Sequence, residues 1–448
     1  MSAIRAGRAV LASAAASVAA LALVAGGSVL PASAEGPPGP TSRPESSPPP
    51  DPPSHRLPQP SDGQLALTAS DTRTIPQRLA AAGADPALGS RVSAVVLDAT
   101  TGAVIYSRNS SLALMPASNQ KLVTAFVAIS TMARDKTLTT QVRTNASRNT
   151  VWLVGGGDPA LWVTKAREMA GTTRSALVAA GVRTVAVRVD DTLFPPPTNA
   201  TGWKPSYLPG DVVPVRPLVV GGRNAMDTGL DAGVIFANEL KRLGIGVSST
   251  IRGKVPTGAP TIVSATSPYI GTLTANFINT SDNDYAENIH RHSSLTVGKG
   301  ATWTAANAHA LAVLKARGVN TTGVAVHDGS GLSRSDRASA ATMTSLLLRA
   351  KRDAAVAQVF NASTSMPTAG VSGSLRTRFA TADTQCARGK VRAKTGWLSD
   401  AIALSGTAYG VDGRERIFSI IENGAADPTA ARLAIERFAT AATGCNPA

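Results

Sequence analysis

The sequence predicts an α+β protein. Runs of strand-like apolar residues lie near both ends of the folded part of the chain, and the stretch between them carries mostly helical periodicity. A sheet assembled from distant segments, with helices packed against it, is the arrangement this order favours. RVSAVVLDATTGAVIYSRN reads as two strands joined at a turn through Thr101-Gly102. A helix is expected over Lys121 to Met132, followed by strand-like QVRTNA and NTVWLVGGG. AGVIFANELKRLGI, AANAHALAVLKARGV and SAATMTSLLLRAKR repeat apolar residues at helical spacing. KVRAKTG, AIALSGTAYG and RIFSIIENG then read as successive strands, and PTAARLAIERFATAA as a closing helix. GGGDP, Gly155 to Pro159, lacks the Gly-Lys-Ser/Thr of a phosphate cradle and is read as a tight turn.

Two segments precede the folded part. Residues 1–34 have a basic start at Arg5 and Arg8, an Ala/Leu/Val run and an A-x-A site at Ala32-Ser33-Ala34, so a secretory signal peptide cut before Glu35 is expected. An uncleaved membrane anchor is the alternative. Residues 35–62 carry proline after proline and few large apolar side chains, which makes an extended, semi-stiff spacer rather than a core.

The formal net charge is +15, of which Arg5 and Arg8 supply two. Such a surface suits a polyanion; export makes nucleic acid the poorest candidate and an anionic cell-wall polymer a better one. The basic residues are scattered, so they read first as a solvated face. The five histidines, His290 and His292 among them, show no metal-ligand spacing, and neither metal nor cofactor is expected. Cys386 and Cys445 are the only cysteines. In an oxidising compartment they can close a disulfide; two free buried thiols are the other reading.

The chemistry-bearing stretch is PASNQKLVTAF, Pro116 to Phe126. Proline suits a helix start, and residues three apart share a helix face, so Ser118 and Lys121 can meet. A serine hydroxyl needs a base, and a lysine serves only if burial or a second cation lowers its pKa from the free value of about 10.4. S-x-x-K arises often by chance, and the pair gains meaning from Ser281-Asp282-Asn283 and Lys394-Thr395-Gly396 further along the chain. S-x-x-K, S-D-N and K-T-G in this order resemble the signature of the active-site-serine, penicillin-recognising enzymes.

The resemblance implies roles that the residues can fill. Ser118 would be the nucleophile and Lys121 its base. Ser281 would pass a proton toward the leaving amine from Lys121 or Lys394, and Asn283 would hold Lys121 and the substrate amide. Lys394 would supply the positive charge that keeps Lys121 neutral and, with Thr395, would bind a substrate carboxylate. Gly396 would let a substrate strand lie against the sheet edge. The backbone N–H groups of Ser118 and Trp397 would form the oxyanion hole.

The long stretch between Ser118 and Ser281, with LVGGGDPAL, VDDTLF, HDGSGLSR and GVSGSLRTRF around it, resembles the class C low-molecular-mass penicillin-binding proteins, the D-alanyl-D-alanine carboxypeptidase/endopeptidase family. The likeness runs from about Leu65 to the end. It implies a penicillin-recognising core of residues 63–138 and 264–448, an antiparallel sheet flanked by helices, interrupted by inserted domain(s) at 139–263. It also implies cleavage of peptidoglycan stem peptides through an acyl-enzyme, with β-lactams as covalent inhibitors. One departure is visible: a small hydroxyl residue usually follows K-T-G, and here Trp397 stands there, so a hydroxyl for the substrate carboxylate is replaced by a ring at the cleft rim. A β-lactamase is disfavoured because no glutamate sits in an E-x-x-L-N stretch and Ser281 stands where another group has tyrosine. A transpeptidase, or a catalytically weak penicillin-binding wall protein, is the alternative reading.

Overall fold

A computed structural model describes residues 69–445. The chain divides into two units, Met1–Thr41 and Ser42–Ala448, and all the described residues belong to the second. The leader and the proline-rich segment expected from the sequence lie outside the described residues. Among the described residues no helix is long and apolar enough to cross a membrane.

In chain order, helix α1 (Ala69–Gly83) leads into the hairpin β1 (Val92–Asp98) and β2 (Val104–Arg108), and a short 3-10 turn at Ala117–Asn119 opens α2 (Gln120–Thr131). Next come β3 (Thr139–Thr144), β4 (Thr150–Val154), β5 (Asp158–Leu161), α3 (Val163–Ala179), β6 (Thr184–Asp190), β7 (Leu218–Val220), α4 (Thr228–Arg242), β8 (Gly246–Arg252) and β9 (Thr261–Thr266). Five helices follow: α5 (Ile270–Thr280), α6 (Asn283–Thr296), α7 (Trp303–Ala316), α8 (Ala340–Arg352) and α9 (Ala354–Phe360). The chain closes with β10 (Val391–Leu398), β11 (Ala401–Tyr409), β12 (Glu415–Asn423) and α10 (Pro428–Thr443).

The strands from the two ends of the chain do form one sheet, in the order β10-β11-β12-β1-β2, antiparallel throughout. Alternate residues of a strand face opposite sides, and both sides here are apolar. Val95, Leu97, Ile417 and Ile421 join a core with α2, α5, α7 and α8, while Val92, Val96, Phe418 and Ile420 face α10 and α1. A strand buried on both faces reads as a continuous apolar run rather than an alternating one, which is how VSAVVLD and ERIFSIIEN appear.

A second sheet, β8-β6-β4-β3-β9, is drawn wholly from residues 139–266 and packs on α3 and α4. Several of its elements were not legible beforehand. Helix α3 contains Gly171, Thr172 and Thr173, all weak helix formers, and exists because Met169, Ala170 and Leu177 are buried. Strand β8 is a polar edge strand whose pattern is hard to tell from a loop. Helix α6 was missed for the opposite reason: Glu287, Asn288, His290, Arg291 and His292 are polar and buried, so no apolar stripe marks it.

Helix α2 is buried all round, from Gln120 to Ile129. Burying side chains such as Leu122 and Phe126 contributes about 1.5–3 kcal/mol each, and that packing fixes the helix that begins beside Ser118. At the far end, Arg78 donates to the Gly444 carbonyl, tying α1 to the end of α10, and Cys386 is joined to Cys445 with 6.1 Å between Cα atoms. The bridge spans 59 residues. Removing it with reductant, or by the double change Cys386→Ser and Cys445→Ser, should lower the unfolding free energy by about 2–4 kcal/mol. Urea unfolding with and without reductant reads this directly; coincident curves would refute it.

Candidate active site

The two halves of S-x-x-K meet through a 3-10 turn rather than a full α-helical turn. Ser118 lies in Ala117–Asn119, where residues i and i+3 eclipse, and Lys121 is the second residue of α2. Lys121 Nζ stands 3.2 Å from Ser118 Oγ. Ala117, just before the serine, has φ +46°, a left-handed conformation that costs energy for a residue with a Cβ. It is held there from outside: Gly331 packs so closely that a Cβ on it would lie 1.9 Å from the Ala117 carbonyl oxygen.

S-D-N forms the joint between α5 and α6. Ser281 caps α5 in a left-handed conformation, φ +66°, and the Asp282 carboxylate accepts from the Tyr285 N–H to start α6. Asn283, the first residue of α6, accepts from Lys121 Nζ at 2.6 Å and donates through Nδ2 to the Asp211 carbonyl at 2.7 Å. That second bond orients the amide so that its oxygen faces the lysine. Lys121 also donates to the Ser330 carbonyl at 2.8 Å.

K-T-G lies on β10, an edge strand of the first sheet. Lys394 Nζ donates to Ser281 Oγ at 2.9 Å and to the Thr395 carbonyl at 2.9 Å. The Thr395 hydroxyl pairs with Ser374 at 2.8 Å. Tyr409 N–H donates to the Lys390 carbonyl, so even-numbered β10 residues bond toward β11, and Ala393 N–H donates outward to Pro367. By the alternation of an antiparallel ladder, the Trp397 N–H faces the open edge. Its ring is half exposed. Ser118, Lys121, Ser281, Asn283 and Lys394 are thus joined in one cluster, with Thr395, Gly396 and Trp397 on the strand beside it.

At Gly396 a Cβ would meet the Pro116 carbonyl at 2.8 Å and Asn119 Nδ2 at 2.9 Å. Its missing side chain lets β10 close onto the turn that carries Ser118. The two lysines also sit in different electrostatic surroundings. Burial lowers Lys121 to about 8, against the pull of Glu287, Asp328, Asp282 and Asp284. Lys394 is pushed well below the ordinary lysine range, by burial first and by the Lys121 charge second. The acids lie around Lys121, and the Lys121 charge adds to the burial that lowers Lys394.

Several residues that complete the cluster have no role in the motif reading. Asn119 donates to the Lys394 carbonyl at 3.2 Å, linking the first motif to the third. Glu287, Asp328 and Ser330 form the wall behind Lys121. Two signals pointed to them: Glu287 stands four residues after Asn283, on the same helix face, and HDGSGLSR has the Asp-Gly composition of a tight loop.

A serine in contact with a buried lysine, beside a second lysine–serine pair at a sheet edge, fits an active-site-serine peptidase of the penicillin-recognising class. The sequence model of the D-Ala-D-Ala carboxypeptidase 3 (S13) family matches residues 75–221 and 217–442. Carboxypeptidase DacB of Mycolicibacterium smegmatis is 31% identical over 90% of this chain and 90% of its own length. The D-alanyl-D-alanine carboxypeptidase of Actinomadura sp. strain R39 is 28% identical over 79% of this chain and 81% of its own. The crystal structure of penicillin binding protein 4 from Haemophilus influenzae shares the fold at a TM-score of 0.68, with 18% identity over 83% of this chain and 98% of that one. The chain belongs to the D-Ala-D-Ala carboxypeptidase 3 (S13) family. It is a serine-type D-Ala-D-Ala carboxypeptidase, and its peptidoglycan substrate places it in the cell envelope.

The Gly396 contact is testable. Gly396→Ala should separate β10 from the Ser118 turn, cost about 1–3 kcal/mol of stability as overpacking does, and slow acylation of Ser118 by a labelled penicillin. A variant that melts and labels like the wild type would show that the close approach is not needed.

Proposed function

We propose that Ser118 attacks the carbonyl of the D-Ala-D-Ala bond with Lys121 as general base. The observation that carries this is the partner set of Lys121. A neutral amine has two N–H donors and one lone pair. Asn283 Oδ1 and the Ser330 carbonyl can only accept, and each takes one N–H. The lone pair is left for the Ser118 hydroxyl, 3.2 Å away. The proton that Lys121 takes then passes by way of Ser281 and Lys394 to the amine of the departing D-alanine, and water releases the acyl group from Ser118. The N–H groups of Ser118, beside the α2 N-terminus, and of Trp397 stabilise the oxyanion.

In this scheme Lys394 and Thr395 receive the terminal carboxylate. β-Lactams acylate the same serine. A cross-bridge presents a similar D-alanyl bond, so the proposal extends to endopeptidase activity. The second sheet, which begins with the expected insertion of 139–263 and ends at Thr266, just past it, contributes no member of the proposed reaction path; it would shape access for the rest of the stem peptide, with residues 63–138 and 264–448 as the catalytic domain. Export by the N-terminal leader, with cleavage before Glu35, and loose attachment to anionic wall polymers through the net positive charge that remains, +15 less the two carried by Arg5 and Arg8, complete the reading.

Purified protein incubated with a muropeptide ending in D-Ala-D-Ala should release free D-alanine, and Ser118→Ala should release none. Because the base must be neutral, acylation by a labelled penicillin should climb about tenfold per pH unit below the Lys121 value and level off above about 8. A flat profile would remove Lys121 from the role. Trp397→Thr, which restores a hydroxyl beside the carboxylate site, should lower the KM for the muropeptide by a few-fold and leave penicillin acylation nearly unchanged; an unaltered KM would show that Trp397 does not weaken carboxylate binding.

A further inference from the structure

We infer that Glu287 is a positioning residue of this reaction: it holds the Ser330 carbonyl on Lys121 and thereby fixes where the amine's lone pair points. The inference rests on Lys121 acting as the base. Glu287 is fully buried on α6, one turn after Asn283. Both of its oxygens accept from adjacent backbone amides, Oε2 from Gly329 at 2.9 Å and Oε1 from Ser330 at 2.8 Å. Asp328, also fully buried, takes the next amides of the same loop, Gly331 and Ser333, each at 2.7 Å, and the Trp203 indole N–H at 2.7 Å.

With these amides turned to the carboxylates, three consecutive carbonyls turn to α2. The Asp328 carbonyl accepts from Gln120 at 3.3 Å, that of Gly329 from Thr124 at 2.6 Å, and that of Ser330 from Lys121 at 2.8 Å. The loop is thus a plate with one face on two acids and the other on the helix of the nucleophile, and Gly331 within it props Ala117. A buried carboxylate is a costly way to hold a loop, since an apolar side chain of similar volume is often no less stable. What the carboxylate adds is direction: it sets the Ser330 peptide plane, and the plane sets the second acceptor of Lys121. Without that acceptor, one N–H of Lys121 can turn toward Ser118 and the lone pair away from it.

Charged groups on every side bear on the pH behaviour. Lys121 is faced by Glu287 and Asp284 from α6, Asp282 at its cap and Asp328 from the loop, with Lys394 across on β10. Glu287 is itself near Asp328, Asp336 and Arg291, and burial and the Asp328 charge push its carboxyl up to about 8, so it gains its charge over the pH range in which Lys121 loses its own. Replacing Glu287 by glutamine removes an acid that favours the Lys121 ammonium and weakens the hold on the Ser330 carbonyl; both lower the pH at which Lys121 becomes neutral.

The test uses the whole mature protein and a fluorescent penicillin, with the noncovalent dissociation constant and the acylation rate constant measured separately across pH. Glu287→Gln should lower the limiting acylation rate about 10- to 100-fold, as a misdirected base does, leave the dissociation constant unchanged, and move the rising limb to lower pH. Glu287→Asp, which keeps the carboxylate on a shorter stem, should recover part of the rate. A merely structural Glu287 would lower the melting temperature and the labelled fraction but leave the rate and limb of the folded molecules as in the wild type, and that result overturns the proposal. If Glu287→Gln does not fold, Glu287→Asp decides by the same two readings. Failure of the wild type itself to label at Ser118 would overturn the reaction scheme and this role together, whereas normal labelling in the wild type and both variants would overturn this role alone.

Discussion

The site depends on a lysine buried without a salt bridge. Lys121 has no exposed surface, and its amine meets a hydroxyl and two carbonyl-type oxygens. Burying a charged amine is expensive, and the pKa falls until much of that cost is avoided. Neutral dipoles rather than a carboxylate in direct contact let the fall occur, and the acids Glu287 and Asp328 stop it near 8. A carboxylate bonded directly to Nζ would favour the charged form, which is useless as a base.

Holding the amine there requires surroundings that do not yield. Helix α2 is enclosed on every side, so the lysine cannot swing out to water. The serine sits on a turn kept in an unfavourable conformation at Ala117 by contact with Gly331, and β10 closes on the same turn because Gly396 has no side chain to obstruct it. Strain at the nucleophile is thus sustained by packing from two directions.

The second sheet is tied to this arrangement by individual bonds. Between β6 and β7 the chain supplies Trp203, whose indole N–H reaches Asp328, and Asp211, whose carbonyl fixes the Asn283 amide. Phe194, Trp203, Tyr207 and Val212 share a small apolar core with Ala117, Leu332 and Leu398. The long stretch between the first and second motifs therefore takes part in orienting residues of both.

The motif residues and the strand pattern at the chain ends were legible in the sequence because each follows local rules. Ser118 and Lys121 are three apart, Asp282 caps the helix it begins, and the apolar runs of β1, β11 and β12 announce a sheet buried on both faces. Helix α6 escaped detection because its buried residues are polar, satisfied by partners that no spacing reveals. The function of Gly396 and the direction of the Lys121–Lys394 coupling were likewise beyond the sequence: the first depends on which backbone lies within 3 Å of a missing Cβ, the second on which lysine the acids surround. Sequence by itself picked out the groups proposed to carry the chemistry, through their types and order. Tertiary structure alone decided their protonation and aim, because burial, opposing charge and close backbone contact come from residues far apart in the chain.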